Sequence, residues 1–174
     1  MKPMHLSFIA ATIAACVASL FTWSCEPEDR TIRTGQRIHH DDFEYSVTSF
    51  RVSKTIGEGQ GTATASGNFY IVTFVAENNA KRVNHEWVDS IAYIMDEEGG
   101  VYENLLWAQR ALNRVSRFGW TEDHVTPPGG SDSTVLVFDL PEGVRAPSLN
   151  IRGETLMGDF LDGGQFRKVK IRLW

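Results

Sequence analysis

The chain has 174 residues, 42% of them hydrophobic and 22% charged, and a formal net charge of −5 at neutral pH. That length suits one domain whose single core can bury roughly 70% of the unfolded surface. The mild acidity argues against the clustered basic surface that phosphate backbones require, so no nucleic-acid partner is expected.

The N-terminus reads first as an address. Met1-Lys2-Pro3-Met4-His5 precedes an uncharged run from Leu6 to Ser24, and Cys25-Glu26-Pro27-Glu28-Asp29-Arg30 follows it. A cation before an apolar run and acids after it mark residues 1–24 as an export segment and place the remainder outside the cytoplasm. The run is also about long enough to span a bilayer, so an uncleaved anchor is the alternative to cleavage. Both cysteines, Cys16 and Cys25, lie in or beside this segment, leaving the folded part without thiol or disulfide. Thr22-Trp23-Ser24-Cys25 resembles the lipobox of bacterial lipoproteins, in which the cysteine becomes the lipid-bearing first residue. Ile13-Ala14-Ala15-Cys16 fits that pattern more closely but would leave Val17 to Trp23 as an apolar tail. Cys25 is therefore the expected lipidation site and Cys16 the alternative. The implied partner is a membrane, held through lipid or anchor, and the implied location is the extracytoplasmic side of the bacterial cell envelope.

Residues 25–35 read as a polar tether and residues 36–174 as the folded domain. A first short strand is expected near Arg37 to His40. Phe43-Glu44-Tyr45-Ser46-Val47-Thr48 alternates with period two, and the phase flips at Phe50 and Val52, predicting a bulge or bend near Ser49. Lys54 to Ser66, with Gly57, Gly59 and Gly61, reads as a mobile hairpin loop. Asn68 to Asn78 is the stretch around which the chain is organised. Its apolar residues fall on both parities, Phe69, Ile71 and Val75 on one and Tyr70, Val72, Phe74 and Ala76 on the other, so it predicts a central strand covered on both faces. Trp87 to Met95 reads as the next strand, Asp96-Glu97-Glu98-Gly99-Gly100 as a tight turn, and Val101-Tyr102 as the start of the returning strand.

Glu103 to Phe118 departs from this pattern. Leu105, Ala108, Leu112 and Val115 recur at helical intervals, which sets Arg110, Arg114 and Arg117 within about 60° of one another on the opposite side. Trp107 flanks that stripe. A solvated helix face is the plainer reading of it, and a patch for an anionic partner or lipid headgroups is the functional one. Pro127-Pro128-Gly129-Gly130 is a turn, Ser133 to Leu140 a strand stopped by Pro141, Leu149 to Arg152 a short strand, and Phe166 to Trp174 the last. Val169, Ile171 and Leu173 alternate there with Lys168, Lys170 and Arg172, a pattern suited to a sheet edge. Short strands with turn signals between them and one helical insertion predict an all-β fold, a two-sheet antiparallel sandwich.

Phe43 to Val52, then Asn68 to Asn79, Met95 to Tyr102, and Pro128-Gly129-Gly130 leading into Val135-Leu136-Val137-Phe138-Asp139-Leu140-Pro141 give this chain a family likeness. From about Gly35 to Leu173 it resembles the telokin-like, immunoglobulin-like extracellular domain of unknown function found in bacterial lipoproteins and secreted proteins. The resemblance implies an immunoglobulin-like sandwich outside the cytoplasm and supplies no catalytic residues. The stretch Leu105 to Glu122 departs from the family by being longer and more helical.

Chemistry-bearing residues are sparse. His39-His40-Asp41-Asp42 has metal-ligand chemistry, but neighbours on a strand point to opposite faces, so a solvated strand end is the plainer reading. Asp96, Glu97 and Glu98 lack the alternating spacing of a calcium loop. Asp123 and His124 with Ser131 or Ser133 would make a hydrolytic triad, yet neither serine sits in a nucleophile elbow. No phosphate loop, paired-cysteine metal motif or dinucleotide fingerprint occurs. The sequence thus predicts a non-enzymatic, membrane-tethered binding or interaction module with no cofactor and an envelope protein or ligand as partner. The alternatives are a metal-handling envelope protein using His39 and His40 and, further off, a hydrolase. Lys54 to Ser66, Glu103 to Val125 and Gly153 to Gly164 are the expected contact loops.

Overall fold

A computed structural model of the chain describes residues 30–40, 42–57, 62–112, 124–152 and 169–173. Residues 1–29, which include Cys16, Cys25 and the stretch expected as an export segment, and the expected loop at 153–164 lie outside the described residues. In chain order the strands are β1 (Arg30–Arg33), β2 (Arg37–His40), β3 (Phe43–Ile56), β4 (Ala63–Asn78), β5 (His85–Glu86), β6 (Ala92–Met95), β7 (Val101–Glu103), β8 (Val125–Thr126), β9 (Ser131–Leu140), β10 (Ser148–Ile151) and β11 (Val169–Arg172). A short helix, α1 (Leu106–Ala111), stands between β7 and β8.

Two sheets face each other. One runs β2-β3-β4-β9 and the other β1-β11-β10-β6-β7, while β5 and β8 form a separate two-stranded ribbon. The fold is the all-β sandwich that the strand pattern predicts. Its central strand is β4, paired along its length with β3 on one side and β9 on the other. The two parities of β4 divide as expected: Tyr70, Val72, Phe74 and Ala76 join the core between the sheets with Tyr45, Val47, Leu136, Phe138, Ile94, Leu149 and Ile171. Phe69 and Ile71 belong instead to a second cluster on the outer face, with Val135 and Val137, covered by Ala108 and Leu112. Each such fully buried side chain contributes on the order of 2 kcal/mol. The phase flip in β3 is a register shift between Val47 and Ser49, which restores Phe50 to the inner face opposite Val72.

Several expectations need correction. Arg30–Arg33, read as tether, forms β1 and pairs in parallel with β11. That pairing moves β11 off the edge where its alternating cations had suggested it would lie, so it sits between β1 and β10. The hairpin strands β3 and β4 continue to Ile56 and from Ala63, well into the stretch expected as loop. Trp87 to Met95 is not one strand: the backbone turns at residues 88–91, with Ile91 N–H donating to the Val88 carbonyl at 3.0 Å, and only Ala92–Met95 pairs. The helix is shorter than its apolar repeat, spanning Leu106–Ala111, with Leu105 as an extended N-cap. Arg114 and Arg117 lie outside the described residues.

Sheet directions set what lies at each end. β1 is parallel to β11, β11 antiparallel to β10, and β10 antiparallel to β6, so β1 and β6 run the same way. The start of β1 therefore shares an end with Ala92, and the turn after Met95 lies at the opposite end.

Candidate functional site

The turn between β6 and β7 is built by one carboxylate. Asp96 accepts from the Gly100 N–H at 2.7 Å, the Glu98 N–H at 3.0 Å and the Tyr102 hydroxyl at 2.9 Å. Gly99 takes the left-handed φ of 86° that closes the turn. The Tyr102 hydrogen bond, aided by the Gly100 amide, holds the Asp96 carboxyl below its ordinary range, and the same bond raises the Tyr102 phenol. Facing this turn is the Pro141 to Arg145 segment after β9, and between them opens a cleft of about 480 Å³ lined by Asp96, Glu97, Glu98, Tyr102, Val144 and Arg145 among others.

A second cleft of about 520 Å³ shares Tyr102, Pro141 and Glu142 with the first and continues to Ser66, Gly67 and Asp139. Its floor is fixed by Asp139, whose two carboxylate oxygens accept from the Ser66 N–H at 2.7 Å and the Gly67 N–H at 2.9 Å. Lys54 crosses the rim, donating to the Gly67 carbonyl and, at 3.0 Å, to Glu142. The two clefts form a groove whose lining includes Tyr102, Pro141 and Val144 together with mostly acidic side chains. The turn and the proline are both legible in the sequence, but not that they face each other, since the Asp96 turn and the Pro141 loop follow strands of different sheets.

At the opposite end lies a buried polar network. Trp87 Nε1 donates to the Thr126 hydroxyl at 2.8 Å, that hydroxyl donates to Asp132 Oδ2 at 2.8 Å, and His124 Nε2 stands 3.0 Å from the same oxygen. Asn78 ties the neighbouring loop down, donating to the carbonyls of Val83 at 2.8 Å and Thr126 at 2.9 Å. His85 is fully buried beside Trp87, with Nε2 at 3.0 Å from the Tyr45 hydroxyl and Nδ1 without a hydrogen-bond partner. Burial lowers its pKa to about 4, against smaller upward pulls from its own backbone and from the Asp132 carboxylate.

The residues singled out from sequence do not assemble into a reaction centre. His124 meets Asp132 rather than a serine, and Asp123 lies outside the described residues. The hydroxyl beside that pair, on Thr126, is buried and spends its proton on Asp132 while accepting from Trp87. His39 is exposed on edge strand β2 opposite Glu44, and no group of three or more metal-ligating side chains occurs among the described residues. Trp107 is 54% exposed and rests the edge of its ring system on Phe69 at 6.0 Å. Arg110, one turn on, is exposed on the same helix. No helix of the described residues is long and apolar enough to cross a membrane.

No family model and no curated protein matches the sequence. Solved structures do match. The secreted protein MPT63 of Mycobacterium tuberculosis is similar over 83% of this chain and 95% of its own, with a TM-score of 0.55 at 12% identity. An uncharacterized β-sandwich protein from Clostridium difficile 630 is similar over 86% of this chain and 97% of its own, with a TM-score of 0.54 at 12% identity. The chain shares their β-sandwich fold. The yjhA protein from Bacillus subtilis is similar again, over 82% of this chain and 99% of its own, with a TM-score of 0.54 at 9% identity. Identities this low speak for the sandwich and not for a ligand.

Proposed function

We propose that the protein is a non-enzymatic, extracytoplasmic binding module of the bacterial cell envelope, tethered through an acylated Cys25, whose ligand surface is the groove between the Asp96 turn and the Pro141 loop. The observation that carries this reading is the placement of that groove at the end of the sandwich opposite the start of β1. From Cys25 to Arg30 the chain can reach no more than ~18 Å even fully extended, so a lipid at Cys25 would hold the β1 end against the membrane and present the groove outward. The telokin-like, immunoglobulin-like resemblance supports the same reading, as does the secreted neighbour among the structures. The use of the Thr126 hydroxyl inside the Asp132 network supports a binding role over a hydrolytic one.

The groove's chemistry favours a cationic, extended segment of another envelope protein. Asp96, Glu97 and Glu98 line it against Arg145, Glu142 is paired with Lys54 at 3.0 Å, and Tyr102 and Pro141 are offered to aliphatic side-chain stems. Two measurements test the reading separately. Intact mass of the membrane-extracted protein should equal residues 25–174 plus acyl chains, and a Cys25→Ala variant should lose them; a full-chain mass would overturn the tether. Titration with an extended Lys/Arg-rich peptide should shift the backbone resonances of Tyr102, Gly143 and Val144, and a Glu97→Gln/Glu98→Gln variant should weaken that binding severalfold. Shifts elsewhere, or none, would overturn the groove as the ligand surface.

A further inference from the structure

We propose that the His85 imidazole is an acid-sensitive latch that holds the β5–β8 ribbon, and the segment 79–91 that carries β5, onto the end of the sandwich. This inference stands apart from the proposed function and uses neither the groove nor the tether.

The ribbon has little backbone of its own to hold it. Its ladder is two residue pairs, His85 with Thr126 and Glu86 with Val125, extended by the Trp87 N–H to the His124 carbonyl at 3.0 Å. Backbone ties the segment to the sandwich at its two ends, where the Asn79 N–H donates to the Asp42 carbonyl and the Arg152 N–H to the Ile91 carbonyl, each at 2.8 Å. Between those ends side chains fasten it: His85 to Tyr45 of β3, Trp87 through Thr126 to Asp132 of β9, and the Asn78 amide to Val83 and Thr126. Of these links a proton can alter two, at Asp132 and at His85, and of the two His85 is the one whose ring is caged by aromatic side chains. Its ring is enclosed by Phe43 edge-on at 4.9 Å, by Trp87 at 5.0 Å and by Tyr45 at 5.6 Å.

A neutral imidazole suits that seat and an imidazolium does not. Charged, both ring nitrogens become donors, and while Nε2 can reach the Tyr45 oxygen, Nδ1 has no formed hydrogen bond and only the residue's own backbone to pull on it. A buried cation lacking half of its hydrogen bonds is costly, and leaving the seat for water relieves that cost. The titratable groups turned toward the ring are the Tyr45 phenol from β3, the Asp132 carboxylate from β9 and the His124 imidazole from the chain entering β8. The pulls of its own backbone and of Asp132 toward the charged form are opposed by His124 and outweighed by burial. On the segment itself Lys81, Arg82 and Glu86 are exposed. Acid should therefore release β5 before it unfolds β4 and β9, whose hydrogen bonds owe nothing to His85.

Hydrogen exchange read by mass spectrometry on the whole protein at pH 7.5 and 4.5, corrected for the intrinsic pH dependence of exchange, tests the latch. Protection of peptides covering 80–91 should fall roughly tenfold or more at the lower pH, while peptides from 69–76 and 134–140 keep theirs. In a His85→Phe variant, which fills the same aromatic cage without a titrating group, the fall should vanish. In a His124→Asn variant it should persist. Unchanged protection of 80–91 in the wild type, an undiminished acid response in His85→Phe, or its loss in His124→Asn would overturn the proposal. If His85→Phe does not fold, imidazole NMR of the wild type decides alone: His85 must titrate below the ordinary imidazole value, in step with the local loss of protection, and titration near that value without the loss overturns the latch.

Discussion

Gly67 passes so close to Leu140 that a β-carbon built on it would overlap the Leu140 carbonyl oxygen and crowd Pro141 Cα at 2.8 Å. This approach is where β4 and β9 meet at the groove, and the Gly67 N–H is also one of the two donors to Asp139. Because the obstruction is backbone on both sides, it cannot be relieved by a rotamer change. Gly67→Ala is expected to cost about 2–4 kcal/mol and to free the Ser66 and Gly67 amides from Asp139. Urea unfolding measures the first, and amide exchange at those two residues the second; a cost below about 0.5 kcal/mol would show that the strands can part there without penalty.

Stability should fall in mild acid, and the sign follows from His85. Its folded-state pKa of about 4 lies below the ordinary 6.5, so between those values the unfolded chain binds the proton and the folded protein does not. The contribution is fully present above pH 6.5 and is lost as the pH falls toward 4, amounting to about 3 kcal/mol. The lowered carboxyls of Asp96 and Glu103 act in the same direction at lower pH, since each stabilises only while ionised. Denaturant midpoints measured from pH 7.5 to 4 should therefore drop, and His85→Phe should flatten the upper part of that curve.

How much of this was legible in the sequence depended on whether the signal was local. The two-faced pattern of Phe69 to Ala76 led directly to a central strand with two cores, and the apolar phase flip at Phe50 led to the bulge, because side-chain alternation is read along one strand. The ranking of edges was not legible: Arg30-Thr31-Ile32-Arg33 carries too few apolar residues to announce a strand, and only its pairing with β11 shows that the alternating cations of Lys170 and Arg172 are not at an edge. His85 sits in a polar run from Ala80 to Glu86 with nothing to separate it from a solvated histidine. Its burial comes from Phe43, Tyr45 and Trp87, two of them forty or so positions distant, which no period could reveal. Likewise His124 suggested a triad by proximity to serines, whereas its partner is Asp132, delivered by the Pro127-Pro128-Gly129 turn.

Arg152 and Glu103 offer a surface pair with favourable geometry. Arg152 meets both Glu103 oxygens, at 2.6 and 2.9 Å, donates to the Ser90 carbonyl at 2.9 Å and lies over the Tyr93 ring at 4.4 Å. Solvent screening keeps most exposed pairs below about 1 kcal/mol, and the stacking and fork geometry place this one near the top of that range. A double-mutant cycle with Glu103→Gln and Arg152→Lys should give a coupling of about 0.5–1 kcal/mol that shrinks in high salt. A coupling indistinguishable from zero at low salt would mean that ordering the two side chains offsets their attraction.

Strand β9 is the outer strand of its sheet, long and largely buried, and such an edge invites pairing with another chain. Here residues 104 and 105 occupy it. The Leu105 N–H donates to the Val137 carbonyl at 2.7 Å, and the Val137 N–H donates to the Asn104 side-chain oxygen at 3.0 Å, so one side chain completes a ladder rung that a neighbouring strand would otherwise supply. The other end of the Asn104 amide donates to Gln109, a buried residue whose own amide donates to Thr134 on β9, which braces the helix over the same strand. Asn104→Ala removes the acceptor and leaves the Val137 N–H and the Gln109 oxygen unpaired. The expected cost is about 1–3 kcal/mol, together with faster exchange at Val137 and a greater tendency to associate at high concentration. Asn104→Asp distinguishes the roles: it keeps the acceptor for Val137 but not the donor for Gln109, so it should preserve slow exchange at Val137 while still losing stability. If Asn104→Ala leaves Val137 as protected as before, the edge is closed by Leu105 alone and the side-chain rung is dispensable.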